Sequence, residues 1–230
     1  MSRRKPASSE SPKATFRAVV FDLWQTLVPW PTESANALYR QMADVVGADR
    51  ERFTEVWLQA RPRRDTGPIV ENVRAVLQEL GVDSEPDELL AIRRAWAKES
   101  LVPRPDAVET LAELRRRGHR LGLITVCSQD VVQVWDETPL AGTVDETVFS
   151  CEIGISKPDP RIYELCCERL GVALEESLFV GDGANDELPG AERVGMTAVQ
   201  LRVPGEELTP PGKEWRGPAI ESLREVLDLA

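Results

Sequence analysis

Histidine is nearly missing from this sequence. His119 is the single one; its place between a helix and a strand predicts a surface residue, so no histidine-based mechanism is expected. Cysteine is scarce too. Cys127, Cys151, Cys166 and Cys167 lack the spacings of a metal site, so reduced thiols in a cytoplasmic protein are expected, with Cys127 and Cys151 as small core residues. No apolar run is long enough to span a bilayer, and the first dozen residues lack the apolar stretch of a secretory signal. Residues 1–15 are expected to form a disordered lead-in. Basic residues are in deficit, 28 against 39 acidic ones, for a net charge of −11. A nucleic-acid partner needs a basic patch to neutralise phosphates, and none is expected, nor is a membrane partner. An anionic substrate would need local help from a metal, a lysine or helix N-termini.

Apolar residues make up 42% of the 230, ample for a sizeable core. Ala18-Val-Val-Phe21 reads as a buried strand ending at Asp22. From Thr32 to Ser100 only helical patterns follow. Thr32 is the expected N-cap of the first, with Ala35, Leu38 and Met42 on one face. Phe53, Val56 and Trp57 mark a second, ended by Pro62, and Arg61 to Pro68 reads as a basic loop. Val73 and Leu77 mark a third, and Ser84 is the expected cap of a fourth carrying Leu89 and Trp96. After Pro103 helices and strands alternate: a helix with Val108, Leu111 and Leu114 inward, a strand at Arg120–Val126, a helix capped by Ser128, a short strand at Glu146–Ser150, a helix led by Pro160, a strand at Ser177–Asp182 and another at Thr197–Leu201. Such alternation implies a parallel sheet covered on both faces. The predicted fold is α/β: a doubly wound, Rossmann-like core over residues 16–31 and 101–230, with an inserted α-helical cap over 32–100.

In such a sheet, ligands bind beyond the carboxyl ends of the strands. Those ends carry Asp22 with Thr26, then Thr125, then Asp182, and Lys157 sits in a loop entering a helix. Two carboxylates in one cleft repel unless a cation lies between them or one takes a proton. A hard divalent ion such as Mg2+ suits few carboxylates, a backbone carbonyl and a phosphate substrate. Lys157 adds a point charge for a substrate oxyanion. Trp24, Trp30 and Trp57 can shape an aromatic pocket, although core packing is as good a reading for Trp57. Arg61, Arg63 and Arg64 read better as a solvated loop than as an anion site.

The order of these pieces resembles the haloacid dehalogenase-like hydrolase superfamily. Its first motif is matched by Phe21-Asp22-Leu-Trp-Gln-Thr26, its second by Leu-Ile-Thr125-Val-Cys-Ser, its third by Ser156-Lys157-Pro158-Asp159-Pro160. Its fourth is matched by Val180-Gly181-Asp182-Gly-Ala-Asn-Asp186-Glu187-Leu-Pro-Gly190-Ala191. The resemblance implies an Asp22 nucleophile that forms an aspartyl-phosphate, with Thr125 and Lys157 on the phosphate oxygens and Thr26 and Trp24 on the substrate side. It implies Mg2+ held by Asp22, the backbone carbonyl of Trp24 and Asp182, with Glu187 acting through a water; Asp186 is the alternative by spacing. The expected activity is a Mg2+-dependent phosphatase of a small phosphorylated metabolite, working as a monomer or homodimer.

The sequence also departs from the family's phosphatases. They carry a second Asp two residues after the nucleophile as general acid and base, and here that residue is Trp24, which transfers no proton. Gln25 and Val126 replace the usual Gly and Asn. Two alternatives follow: a metal-independent dehalogenase-type enzyme in which Asp22 attacks carbon, and a catalytically weak binding or regulatory protein on the same fold.

Overall fold

The computed structural model describes residues 16–206 and 215–230; the expected disordered lead-in, 1–15, lies outside them. Strands β1 (Ala18–Phe21), β2 (Arg120–Thr125), β3 (Glu146–Phe149), β4 (Ser177–Gly181), β5 (Thr197–Leu201) and β6 (Ala219–Ile220) form one sheet in the order β3-β2-β1-β4-β5-β6. Every pairing is parallel. Strands β1 and β4 are buried along their whole length, as near-continuous apolar runs are when helices cover both faces. Alternation along β1 splits the core in two. Val19 and Phe21 face one cluster with Leu123, Val180 and the helices after β1, while Ala18 and Val20 face another with Ile162, Tyr163 and Phe179.

The chain winds outward from β1 through β2 and β3, then returns to pair β4 on the other side of β1. The strand order therefore reverses between β1 and β4, and a crevice opens beyond their carboxyl ends. Asp22 and Asp182 stand at those two ends.

Between β1 and β2 come α1 (Thr32–Val45), α2 (Arg50–Gln59), α3 (Arg61–Arg64), α4 (Ile69–Leu80), α5 (Asp87–Ser100) and α6 (Ala107–Arg116). Then follow α7 (Gln129–Trp135), α8 (Ser150–Ile153), α9 (Pro160–Leu170), α10 (Glu187–Arg193) and α11 (Val226–Leu229). Prolines, rather than the predicted hydroxyls, open two of the early helices. Pro31 holds the cap position of α1 and Pro86 that of α5, neither with a side-chain cap bond, so Thr32 is the first helical residue and Ser84 lies outside. A fixed φ and a missing N–H suit proline to a helix start. For the same reason Pro62 fits the first turn of α3, while α2 has already ended at Gln59. Carboxylates supply the caps that are made: Asp49 accepts from the Arg52 N–H at 2.9 Å and Asp159 from the Arg161 N–H at 3.0 Å.

Three further expectations are corrected. His119 is buried, its Nδ1 2.9 Å from the Phe16 carbonyl, because the segment leading into β1 covers it. Val108 is 37% exposed; the inward stripe of α6 is Ala107, Thr110, Leu111 and Leu114. The basic loop is a helical turn in which Arg64 is buried, its guanidinium 4.2 Å above the Trp57 ring and donating to the Trp57 carbonyl at 3.0 Å. Beside it, Arg93 on α5 pairs with Asp130 on α7 at 2.6 Å and donates to Ser128 Oγ at 3.0 Å. This buried pair joins the helices between β1 and β2 to the sheet's own layer. Ser128 holds the cap position of α7, but its hydroxyl donates to the Asp130 side chain instead of capping the backbone.

Candidate active site

Asp22 follows β1 directly, and its backbone N–H donates to the Val180 carbonyl at 2.9 Å, which ties the first residue after β1 to β4. Lys157 reaches it from the loop before α9. The ammonium donates to an Asp22 carboxylate oxygen, to Glu187 Oε2 at 2.5 Å and to the Ile124 carbonyl at 3.1 Å. All three of its hydrogens are thus used. Its nitrogen also stands 5.5 Å from the centre of the Phe179 ring.

The loop from β4 to α10 brings in the remaining acids. Asn185 and Asp186 both adopt left-handed backbone, φ 56° and 55°, a conformation that short polar side chains tolerate best after glycine. This tight winding turns Glu187 inward and leaves Asp186 half-buried. Glu187 Oε1 accepts from the Gly183 N–H at 2.9 Å, and Asp182 Oδ1 from the Ala184 N–H at 3.0 Å. The fit is close. A Cβ at Gly181 would stand 2.1 Å from Glu187 Oε1, so any side chain there would expel the carboxylate. Ligand-capable oxygens of Asp22, Asp182 and Glu187 lie within 4.8 Å of one another, all three residues buried; Asp186 is not in the cluster.

Three buried carboxylates beside one ammonium leave excess negative charge out of water. Burial pushes Asp22 up to about 7, only partly opposed by Lys157. Glu187 rises to about 7 for the same reason, with Asp182 adding to the rise. Asp182 rises to about 6, through burial and then the Asp22 charge. Burial alone would lower Lys157, but the charges of Asp22 and Glu187 more than offset it and hold the ammonium above its ordinary pKa.

The two threonines are placed differently. Thr125 and Thr26 are fully buried, each with a hydroxyl that meets no partner among the described residues. Neither belongs to the wall of the cavity above the acids, where Val126 and Trp24 do. Thr26 contributes its carbonyl instead, which accepts from Arg104 Nε at 2.8 Å. Neither side chain thus lines the cavity, although the resemblance put Thr26 on the substrate side and Thr125 on the phosphate oxygens.

That cavity, about 680 Å³, has the charged cluster as its floor. Its upper wall is Trp24, Trp30, Tyr39, Leu58 and Arg61. Trp24 meets Trp30 edge-on at 5.2 Å and stacks on Trp96 at 6.0 Å. Trp57 lies in the core, as a fully buried ring stacked on Phe53 at 5.9 Å.

Sequence reasoning passed over Arg104. Its guanidinium donates to the carbonyls of Gln25 (2.9 Å) and Thr26 (2.8 Å) and to both oxygens of Glu206 at 2.6 Å. It therefore clamps the loop that carries Trp24. Its only signal in the sequence is a place between Pro103 and Pro105, where the chain returns from α5 to the sheet.

A model of the haloacid dehalogenase-like hydrolase family matches residues 16–195. The chain is 30% identical, over 93% of its length and 96% of the relative's, to a glyceraldehyde 3-phosphate phosphatase of Methanopyrus kandleri. It is 29% identical, over 94% and 95%, to the (S)-2-haloacid dehalogenase 4A of Burkholderia cepacia. Among solved structures, a HAD-family enzyme of Bacteroides thetaiotaomicron in complex with magnesium and inorganic phosphate superposes with a TM-score of 0.64 at 17% identity, over 84% of this chain and 98% of that one.

Proposed function

This chain belongs to the haloacid dehalogenase-like hydrolase family, and on that premise we propose that it is a Mg2+-dependent phosphatase of a small phosphorylated compound, acting through an aspartyl-phosphate on Asp22. One observation carries the reading: Asp22, Asp182 and Glu187 cluster at the strand-order reversal, while the one lysine there, Lys157, pairs with Asp22 and Glu187 alone, so the site has a surplus of buried oxygen donors. A hard divalent cation with oxygen ligands fits that donor set and that charge. Asp22, Asp182 and the backbone carbonyl of Trp24 would hold it, with Glu187 acting through a water. When bound, the ion neutralises charge on the transferring phosphoryl group.

The chain's own groups do the rest. A carboxylate of Asp22 is the nucleophile, which divides one displacement into two. Lys157 steadies that carboxylate and offers charge to the phosphoryl oxygens. Thr125, with its buried hydroxyl unpartnered, is the candidate donor to one of those oxygens.

Phosphate release from a panel of phosphomonoesters, with and without Mg2+, for the native chain and Asp22→Asn, tests the proposal. The expected result is release that needs both Mg2+ and Asp22. The apolar Trp24 and the dehalogenase relative support a second reading, attack of Asp22 on a halogen-bearing carbon. Halide release from 2-haloacids that survives chelator would establish that one instead. Mg2+ binding without turnover of either kind would mark a binding protein.

A further inference from the structure

The upper wall of the cavity is a poor match for a short, hydroxylated carbon chain. Trp24 and Trp30 are half-buried and their neighbour Leu58 is 48% exposed, so a large apolar surface faces the space above Asp22. A volume of about 680 Å³ is that of a site for a drug-sized ligand. Among the described residues of the wall, Lys157 and Arg61 are the only cations. Lys157 is committed to the floor, and Arg61 is paired with Asp65 at 3.0 Å. Among the described residues of the wall, a second phosphate or carboxylate would therefore meet no unpaired cation, only neutral groups such as Thr32, Asn36 and Asn185.

Among the described residues, the same wall offers a leaving group no free carboxylic acid; its other O–H groups are the hydroxyls of Thr32 and Tyr39. Trp24, two residues after the nucleophile, offers an indole N–H, which donates hydrogen bonds but is no acid. Glu206, the wall's one carboxylate outside the floor cluster, has both oxygens held by Arg104. An alkoxide, about as basic as hydroxide, leaves badly without a proton (water pKa about 15.7). A phenolate is far less basic, since a phenol has a pKa of about 10.

These two features point to one ligand chemistry. We infer that the substrate is an aryl phosphate, a single phosphomonoester whose leaving oxygen is attached to an aromatic ring lying along Trp24 and Trp30. The inference rests on the phosphatase reading above. A carboxylate oxygen of Asp22 forms the new bond to phosphorus, and the bond from phosphorus to the aryl oxygen breaks. The aryloxide departs with the bonding pair and takes a proton from solvent. Water then attacks phosphorus, the aspartyl bond to phosphorus breaks, and the carboxylate, inorganic phosphate and a proton are released.

The test compares phenyl phosphate, cyclohexyl phosphate and acetyl phosphate, with Mg2+ present, on the native chain, Trp30→Ala, Trp30→Leu and Asp22→Asn. Phenyl and cyclohexyl phosphate have bodies of similar size; acetyl phosphate is small and activated but has no ring. Phenyl phosphate should exceed cyclohexyl phosphate in kcat/KM by about 10²-fold or more, the typical worth of the missing acid. Trp30→Ala and Trp30→Leu should raise KM for phenyl phosphate by about 5-fold, the scale of an aromatic pair, and leave acetyl phosphate within about 2-fold. Retained turnover of acetyl phosphate also shows that the variants fold. The inference is overturned if cyclohexyl phosphate matches phenyl phosphate, or if neither Trp30 variant moves the phenyl phosphate KM. If that happens while acetyl phosphate is still hydrolysed in an Asp22-dependent way, the phosphatase reading stands without it. If no phosphate is released from any of the three, both fall.

Discussion

Two clusters of charge are buried in this protein, and their bookkeeping differs. In the one around α5 and α7, Arg93 pairs with Asp130 and donates to Ser128, Arg64 donates to the Trp57 carbonyl and lies over the Trp57 ring, and Asp65 is paired with Arg61. In the one beyond β1 and β4, three carboxylates cluster beside one ammonium, which pairs with two of them. The first is nearer to balance: its buried ion pair is made, and of its guanidinium nitrogens Arg93 Nε lacks a partner among the described residues. Taking charges out of water costs several kcal/mol each unless they are paired and hydrogen-bonded, so the second is stable only with protons on its acids or with a further cation among them. A fold that keeps such an imbalance at the floor of a cavity has placed a binding demand there.

Removing one acid from the unbalanced cluster should cost function and little stability. Asp22→Asn is expected to lower phosphate release by at least about 10³-fold, since it removes the nucleophile itself, while its melting temperature stays at or above the native value. Loss of fold together with activity would erase the distinction between the clusters. The cluster around α5 and α7 should respond the opposite way. Asp130→Ala leaves the Arg93 guanidinium buried and unpaired, and chemical denaturation should show a loss of about 3–5 kcal/mol. Arg93→Met combined with Asp130→Leu should cost much less than that single change. A double variant as damaged as the single one would contradict the pairing account.

The imbalance also has a pH signature. Asp22, Glu187 and Asp182 sit at about 7, 7 and 6, above the roughly 4 of unfolded carboxyls. Between those values the folded chain holds protons that the unfolded chain has released, so this cluster's contribution is complete below about pH 4 and is lost as pH rises through 7. Metal-free protein should therefore lose stability from pH 5.5 to pH 8. Mg2+ should restore it most at pH 8, by about 2.7 kcal/mol at a hundredfold excess over Kd. Melting curves with an equal Mg2+ increment at both pH values would remove the ion from the site. The smallest effects belong to the two threonines. Thr26→Val and Thr125→Val each delete a buried hydroxyl without a partner, so stability should change by less than about 1 kcal/mol in either. Only Thr125→Val should slow turnover; equal rates in the two variants would leave Thr125 without a role at the phosphate.

The floor of the site was legible in the sequence, because each of its members stands where a buried apolar run stops or a loop enters a helix. Asp22 and Asp182 directly follow strands, and Lys157 precedes Pro158 and the cap of α9. The choice between Asp186 and Glu187 turned on two left-handed residues, which spacing alone does not reveal. The upper wall was harder to read. Periodicity says which side of α1 or α2 turns inward, but Tyr39 and Leu58 are half-buried and exposed, facing a cavity formed by distant segments. The burial of Arg64 and His119 was missed for a related reason: their partners, Trp57 and Phe16, depend on how the chain folds back. Arg104 carries no periodic signal at all, since its targets are backbone carbonyls 78 and 79 residues earlier.

The position of β1 has a consequence for the order in which the protein comes into being. The strand that delivers Asp22 is synthesised well before its two neighbours in the sheet, which begin at residues 120 and 177. Chains grow at about 5–20 residues per second, so this apolar segment waits for seconds on the ribosome with both edges unpaired. The helices from Thr32 onward make contacts close in sequence and can collapse early. The nucleophile strand cannot be enclosed until β4 emerges, and Glu187 follows it by only a few residues. An early strand thus finds its place late, and the window in which it is exposed to aggregation and to chaperones is set by the length of what lies between.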